Sequence, residues 1–302
     1  MKLLNTITLK TKRNSDILST HPCFSKEAHH KFGRIHLPVA PACNIQCKYC
    51  IRKFDCANES RPGITSRVMT PYEAMERVRA VVERNENISV IGIAGPGDPL
   101  ANDATFETLH AIHKEFPELI LCVSTNGLNL PEGLDELMKA GVRSLTVTIN
   151  AVTPVMAEKV YSWASFKGRR YAGREAATLI LNNQWRGLTN AIDAGLIVKV
   201  NTVFIPGVND IEIPLIAWHA RERGADLMNI MPLIPQAEFA GRERPSPEMI
   251  TKKRAECERY IPQMTHCRQC RADACGVLGE DKDMELELLH SRIGEEYCDA
   301  IY

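Results

Sequence analysis

The sequence has no excess of charge of either sign and no long apolar run. Its 302 residues include 37 Lys and Arg and 37 Asp and Glu, so the formal net charge is zero. Such a chain has no global field that draws it onto nucleic acid or an anionic membrane. No apolar run approaches the roughly 18–20 residues that span a bilayer. The N-terminus, MKLLNTITLKTKRN, lacks the apolar core and cleavage site of a signal peptide. These absences predict a soluble, cytoplasmic protein.

Cysteine, in contrast, is abundant and unevenly distributed. Of the eleven cysteines, five lie from Cys23 to Cys56 and four from Cys257 to Cys275, while Cys122 and Cys298 stand alone. In a reducing compartment, grouped cysteines are more often metal ligands or catalytic thiols than disulfides. The distribution therefore predicts metal or thiol chemistry.

Short apolar strands alternate with helical patterns through the middle of the chain. Strands are predicted at 34–40, 88–95, 119–126, 144–150, 197–205 and 227–234. Helices are predicted at 71–84, 104–116, 131–140, 174–194, 211–223 and 247–260, and long loops at 55–67, 162–171 and 235–247. Alternation of this kind indicates βαβ units and a parallel sheet. Six units are fewer than the eight of a complete barrel, so we predict an α/β fold, a partial (β/α)6 TIM-type barrel.

Several predicted strands have one apolar and one polar face. In 119–126, for example, Leu119, Leu121 and Val123 alternate with Cys122 and Ser124. The apolar faces suit covering helices, so the polar faces, including those with His36 and Lys199, should point into the barrel. Barrel interiors are normally packed with branched apolar residues, so a polar interior indicates a cavity for a polar or metal-bearing ligand. The alternative is a sheet with one solvated face.

The first predicted strand is followed by a CxxxCxxC motif, Cys43, Cys47 and Cys50. Active sites of α/β barrels lie at the carboxyl ends of the strands, and cysteine thiolates are the usual ligands of iron–sulfur clusters. Three ligands leave one iron of a [4Fe–4S] cluster open. The alternatives are a zinc site, which normally takes four ligands, or unrelated thiols. The motif, with Tyr49 before its last cysteine, resembles that of the radical S-adenosylmethionine (SAM) superfamily, in which the open iron binds SAM.

Further segments fit this superfamily resemblance. The stretch from Gly92 to Asp98 corresponds to a glycine-rich contact with the methionine amine, although glycines also serve ordinary strand-to-helix turns. Polar residues end the next two strands, where ribose or carboxylate contacts are expected. The resemblance thus implies SAM contacts at Gly92, Gly95, Gly97, Asp98, Ser124, Asn126 and Asn150.

Other candidate ligands lie outside the motif. Cys267 and Cys270 form a CxxC near the C-terminus, Cys56 follows the motif, and Cys23 precedes the barrel. Cys122 and His36 face the predicted interior. Two three-ligand sets are conceivable, one of Cys23, His36 and Cys122 and one of Cys56, Cys267 and Cys270. For any one of these residues taken singly, a buried thiol or a core histidine is the favoured interpretation, and the CxxC also fits half of a zinc ribbon.

Over nearly the whole chain, the sequence resembles the NifB family, radical SAM enzymes of nitrogenase cofactor assembly. The matching segments begin at His21 (HPCF), Glu27 (EAHH), Val39 (VAPACNIQC), Asp55 (DCANESRPG), Gly92 (GIAGPGD), Ser124 (STNG), Ile205 (IPGVND) and His266 (HCRQCRADA). The resemblance implies fusion of two [4Fe–4S] clusters, with insertion of a SAM-derived carbide and an added sulfur. The product is the eight-iron precursor of the nitrogenase cofactor.

The family resemblance also implies roles for individual residues. Cys23, His36 and Cys122 would hold one substrate cluster, and Cys56, Cys267 and Cys270 the other. Glu59 is suggested as proton acceptor or transient ligand, although a surface carboxylate would look the same. Cys257, Cys275 and Cys298 match no ligand position, although Cys275 could substitute in the second set.

The predicted organisation is an N-terminal extension (1–33), a radical SAM barrel (34–262) and a C-terminal cluster-binding extension (263–302). Many family members carry a further C-terminal carrier domain. The resemblance therefore implies a short form that works with separate iron–sulfur donor and cluster carrier proteins and with an electron donor. Two other functions stay open: a radical SAM maturase or cyclase with an auxiliary cluster, and an iron–sulfur scaffold or electron carrier without radical chemistry.

Overall fold

Parallel strands and covering helices form the main body of the computed structural model, which describes residues 17–59 and 63–278. The strands are β1 (Gly33–His36), β2 (Ile45–Cys47), β3 (Ile88–Ile93), β4 (Ile120–Thr125), β5 (Val142–Thr148), β6 (Tyr161–Phe166), β7 (Arg169–Ala172), β8 (Ile197–Phe204), β9 (Leu227–Pro232) and β10 (Cys275–Val277). The α-helices are α1 (Pro71–Arg84), α2 (Asp103–Glu115), α3 (Leu130–Lys139), α4 (Pro154–Val160), α5 (Gly173–Asp193), α6 (Ile213–Glu222) and α7 (Pro247–Glu258).

Within the described residues, seven strands form one sheet in the order β10-β1-β3-β4-β5-β8-β9. Strands β1 to β9 of this sheet run parallel, and β10 adds an antiparallel edge beside β1. The six parallel strands confirm the predicted partial barrel. The C-terminal segment contributes to the same sheet through β10, whereas residues 279–302 lie outside the described residues.

The two faces of the sheet differ as the alternation predicts. Ile35, Leu121, Val123 and Leu145 are buried in one apolar cluster with the covering helices. The opposite face carries Cys122 and other polar residues into the barrel. The prediction of a polar barrel interior is therefore confirmed. Among the described residues, no helix is both long enough and apolar enough to cross a membrane.

Residues 162–171, predicted as a loop, instead form most of a β-hairpin, so that prediction is wrong. Strands β6 and β7 pair in antiparallel register around Lys167 and Gly168, which both have positive φ. Two such residues in succession favour the tight turn that joins hairpin strands. Strand β6 also pairs with β2 of the cysteine motif, and this contact, distant in sequence, stabilises the hairpin. Helix α4, just before it, was also not predicted.

Candidate active site

The cysteine motif forms a loop at the carboxyl end of β1. Its central residues form β2, so that Gln46 pairs with Trp163 and Cys47 with Tyr161 of β6. Cys43, Cys47 and Cys50 line one cavity with an empty volume of about 430 Å³. The loop therefore directs all three thiols of the motif to one space, as the superfamily resemblance predicts.

Tyr49 fixes this loop from inside the protein. Its side chain is fully buried, and its hydroxyl donates to Oδ1 of Asn58 at 2.7 Å and accepts from Nδ2 of Asn150 at 2.7 Å. Asn150, predicted to contact SAM, thus holds the aromatic residue of the motif. Asn150 itself is not among the described residues that line the motif cavity. A buried phenol needs such partners because an unsatisfied hydroxyl is costly.

Asp98 connects the ends of β3 and β4 beside the motif. Its carboxylate accepts from the backbone N–H groups of Leu100 (3.0 Å) and Asn126 (2.6 Å) and from Oγ1 of Thr125 (2.9 Å). Burial raises the pKa of Asp98 to about 6, against the opposing effect of these donors. Asn126, which Asp98 orients, donates to Cys43 Sγ at 3.7 Å. Asp98 therefore positions the cavity wall.

The chemistry of the three thiols fits a [4Fe–4S] cluster. Burial raises the pKa of Cys43, Cys47 and Cys50, so the thiolates need positive charge to form. Iron ions supply such charge, and the Arg52 guanidinium lies close enough to these thiols for them to raise its pKa, against the opposing effect of burial. The motif supplies three thiols, of which that of Cys47 is buried and those of Cys43 and Cys50 are half-buried, and three ligands match a cluster with one open iron.

Five further predicted ligands line a second cavity inside the barrel, with an empty volume of about 630 Å³. They are Cys23, His36, Cys122, Cys267 and Cys270. Burial raises the pKa of the Cys23 thiol to about 11 and that of Cys270 to about 12. As in the first cavity, the thiols need a nearby positive charge to ionise. The N-terminal segment, strands β1 and β4 and the C-terminal CxxC thus converge on one space.

The backbone carbonyl of Arg271 orients the His36 ring for metal binding. Its Nδ1 lies 3.0 Å from the carbonyl oxygen of Arg271. Because a carbonyl only accepts, Nδ1 carries the proton and the ring lone pair is on Nε2, as a metal-binding histidine requires. A Cβ on Gly92 would lie 2.8 Å from Cδ2 of His36. Gly92, predicted to contact SAM, therefore makes room for this ring and lines the second cavity.

The CxxC segment is held by contacts that the sequence did not reveal. Arg34 is fully buried and donates from Nη2 to Cys270 Sγ at 3.0 Å. Asp55 accepts from the Ser66 backbone at 2.9 Å and from the Ala272 backbone at 3.4 Å. It thereby links the loop of Cys56 to the segment of Cys270. Alternation in β1 suggested only that Arg34 shares a face with His36.

Glu59 lies where the two cavities meet, whereas Cys56 lies in the motif cavity, apart from Cys267 and Cys270 of its predicted set. Cys56 lines the motif cavity with Cys50, whereas Cys267 and Cys270 line the barrel cavity. Glu59 lines both cavities and accepts from Nδ2 of Asn201 at 2.8 Å. Burial raises the pKa of Glu59 to about 6. A carboxyl with this pKa at the junction can exchange protons near neutral pH.

Within residues 17–59 and 63–278, no three His, Cys, Asp or Glu side chains converge on a single metal ion. A four-iron cluster binds each thiolate on a different iron, so its ligands are spread more widely than those of one ion. Cys257 and Cys275 are buried in the apolar cluster under the helices, and Cys298 lies outside the described residues. Both predicted substrate-ligand sets stay predictions.

Known proteins are similar to this chain in sequence over most of its length. The FeMo cofactor biosynthesis protein NifB of Klebsiella pneumoniae is 48% identical over 282 residues, which are 91% of this chain and 60% of that protein. NifB of Azotobacter vinelandii is 45% identical over 278 residues, 90% of this chain and 55% of that protein. The chain therefore spans roughly 55–60% of the length of these two curated relatives.

Solved structures share the fold. A radical SAM methyltransferase from Sphaerobacter thermophilus matches with a TM-score of 0.53 and 21% identity, over 77% of this chain and 64% of that one. Streptococcus suis SuiB matches with a TM-score of 0.53 and 12% identity, over 78% and 50%. The sequence pattern of the radical SAM superfamily matches residues 37–217, from the residue after β1 to a point within α6. With its three motif thiols directed into one cavity, the chain belongs to the radical SAM superfamily.

Proposed function

We propose that this protein builds the precursor of the nitrogenase cofactor. It would fuse two [4Fe–4S] clusters, inserting a carbide from SAM and an added sulfur, to give an eight-iron cluster. The observation that carries the proposal is the pair of adjoining cavities: the motif thiols line one, five further predicted ligands line the other, and Glu59 lines both. The similarity to FeMo cofactor biosynthesis proteins supports a role in the synthesis of that cofactor.

Cys43, Cys47 and Cys50 would hold the resident cluster. When bound, a [4Fe–4S] cluster with one open iron supplies the electron that cleaves SAM to methionine and a hydrogen-abstracting 5′-deoxyadenosyl radical. The same cavity is lined by four residues of the predicted SAM site, Gly97, Asp98, Ser124 and Asn126. Each would contact SAM directly or position a neighbouring residue that does. Burial of this cavity excludes water from the reactive species.

The barrel cavity would hold the substrate clusters. Three protein ligands for each cluster suit a substrate, because fewer bonds between protein and iron must break on product release than with four ligands. The neutral imidazole of His36 is a weaker and more labile ligand than a thiolate. Cys56 would reach its cluster from the motif side of the junction, where Asp55 already links its loop to the CxxC segment.

Two molecules of SAM would be used in succession. The methyl group of the first passes to a sulfide of a substrate cluster and leaves S-adenosylhomocysteine. Hydrogen abstraction from that methyl group then consumes the second and leaves 5′-deoxyadenosine. Further protons must leave the carbon before it becomes a carbide, and Glu59, between the two cavities, is the proposed acceptor.

The proposed reaction also requires partners. Iron–sulfur donor proteins would deliver the substrate clusters, a carrier protein would receive the product, and an electron donor would reduce the resident cluster.

Anaerobic product analysis tests the proposal. The protein is reconstituted with iron and sulfide, supplied with dithionite and SAM, and both nucleosides are quantified. We expect S-adenosylhomocysteine and 5′-deoxyadenosine together. Formation of 5′-deoxyadenosine alone would contradict methyl transfer and favour a maturase or cyclase with an auxiliary cluster. Formation of neither, with clusters intact by spectroscopy, would leave a scaffold or electron carrier.

A further inference from the structure

Lys199 is a buried cation inside the barrel. It lies on β8, two residues before Asn201, and both side chains line the barrel cavity. Only 6% of the residue is exposed. Burial in low dielectric is costly for an ammonium group unless an opposite charge or several acceptors compensate it. The surroundings of Lys199 therefore indicate what this part of the cavity binds.

The hydrogen-bonding partners that the protein offers this ammonium group are weak. Nζ lies 3.9 Å from the thioether sulfur of Met264 and 5.6 Å from the ring centroid of Phe24. An ammonium group carries three donors, and a thioether is a weak acceptor. Burial acts to lower the pKa of Lys199, but Cys23, Glu59, Cys267 and Cys122 raise it above its ordinary value. The charged form is thus favoured by Glu59 and by predicted ligand thiols, and the hydrogen-bond acceptor of Nζ among the described residues is the weak thioether of Met264.

The other basic side chains that line this cavity are engaged or exposed. Arg271 forms a bidentate ion pair with Asp273 at 2.6 and 2.7 Å. Arg268 is exposed at the rim. Among the described lining residues, Lys199 is therefore the buried cation available to a bound anion.

Lys199 also interacts with members of both predicted ligand sets. Cys23 and Cys122 belong to one set and Cys267 to the other, and all three line the same cavity as the side chain of Lys199. The three thiols also act electrostatically on its ammonium group. A reduced [4Fe–4S] cluster carries net negative charge whether its ligands are three thiolates or two thiolates and a neutral imidazole, so two reduced clusters repel each other at close range. A cation that lines the same cavity as members of both sets offsets this repulsion, and its N–H groups can donate to cluster sulfides.

We infer that Lys199 is the positioning residue that holds two anionic iron–sulfur clusters close together in the barrel, as their shared counter-charge. The inference rests on the proposed function, since it requires substrate clusters in this cavity. It assigns to Lys199 no bond to iron and no proton transfer.

The test compares Lys199→Met with Lys199→Arg and with Lys139→Met, a control on α3 whose side chain is 69% exposed. Each protein is reconstituted anaerobically, and its clusters are counted from iron content and electron paramagnetic resonance. The signal that changes when SAM is added reports the resident cluster and serves as the internal reference. The signal that SAM leaves unchanged reports the clusters in the barrel.

We expect Lys199→Met to lose the SAM-insensitive clusters to an iron chelator at least roughly tenfold faster than the wild type. Lys199→Arg, which keeps the charge, and Lys139→Met should behave as the wild type. Equal release from Lys199→Met and the wild type would overturn the inference alone. A wild type that holds no SAM-insensitive cluster would instead overturn the proposed function.

Discussion

At the scale of single residues, burial without compensating charge dominates this site. The motif thiols have raised pKa values because they are desolvated, and Glu59 and Asp98 share this property. Burial favours the protonated forms of these groups, and the thiols must lose their protons when iron binds them. The binding of clusters is therefore coupled to the release of protons.

Replacement of Cys47 by Ala should abolish the cleavage of SAM. The thiol lies at the end of β2 and faces the motif cavity, so its loss leaves two motif ligands for the resident cluster. Cys257→Ala is the matched control, because this buried thiol lies on α7 among apolar side chains. Formation of 5′-deoxyadenosine measures both variants. Full activity in Cys47→Ala would contradict the assignment of the motif.

The carboxyl group of Glu59 should make stability depend on pH. Its pKa is raised from 4.5 to about 6 in the folded protein, so the folded state binds this proton more tightly than the unfolded state. The neutral form is stabilised below pH 4.5, and that stability is lost as pH rises through 6. Glu59→Gln should therefore gain stability relative to the wild type, on the order of 1–2 kcal/mol between pH 4.5 and 7.

Urea unfolding of the cluster-free proteins at the two pH values measures this gain. Glu107→Gln, at an exposed position on α2, should shift by less than about 0.5 kcal/mol. A pH-independent difference for Glu59→Gln would contradict a buried, proton-exchanging carboxyl.

At the scale of elements, the site depends on loops that pack directly on one another. The segment after β3 lies against the motif loop: the Gly97 N–H donates to Ala40 O at 2.5 Å, and that of Asp98 to Ala42 O at 2.8 Å. The β6–β7 hairpin supports the motif loop from its other side through β2. The motif loop is therefore held between two elements that are distant in sequence.

Gly97→Ala should weaken the binding of SAM. A Cβ at this position would lie 2.2 Å from the Ala42 carbonyl oxygen. The segment after β3, which contains Gly97, must therefore move away from the motif loop. We expect at least a tenfold rise in the Kd for SAM, as a misplacement of about 1 Å can cost 10²-fold in rate. Isothermal titration of the reconstituted protein measures it.

Gly133→Ala is the control for this substitution. Gly133 lies within α3, and a Cβ there would meet its nearest neighbour at an ordinary 3.7 Å. Because Ala favours helix over Gly by about 0.8–1.0 kcal/mol, this variant should be slightly stabilised and bind SAM normally. Normal binding by Gly97→Ala as well would show that the two loops do not need this close approach.

At the scale of the whole molecule, SAM should stabilise the fold through the resident cluster. A ligand at a hundredfold its Kd adds about 2.7 kcal/mol to the free energy of unfolding, which corresponds to a rise of roughly 5–10 °C in the unfolding midpoint. Differential scanning calorimetry of the reconstituted protein measures the rise. The Cys47→Ala variant should show no such rise, and an equal rise in that variant would contradict binding through the cluster.

The sequence by itself determined the local features. Helix α1 was predicted at its observed bounds from its helical pattern, and the structure shows that Thr70 and Glu73 form a capping box where Pro71 begins the helix. The alternation in β4 determined that Cys122 faces the barrel. The spacing of the cysteine motif indicated an open iron. Each feature depends on residues a few positions apart, where periodicity and capping act.

Only the tertiary structure decided which distant residues meet. It brings Cys56 beside the motif cysteines and five other predicted ligands around the second cavity, and it buries Lys199 among them. It also forms the β6–β7 hairpin, whose turn has no Asn-Gly or Asp-Gly signal and whose partner, β2, lies more than a hundred residues earlier. Such contacts follow from the closure of the sheet and from loop packing, which no local pattern encodes.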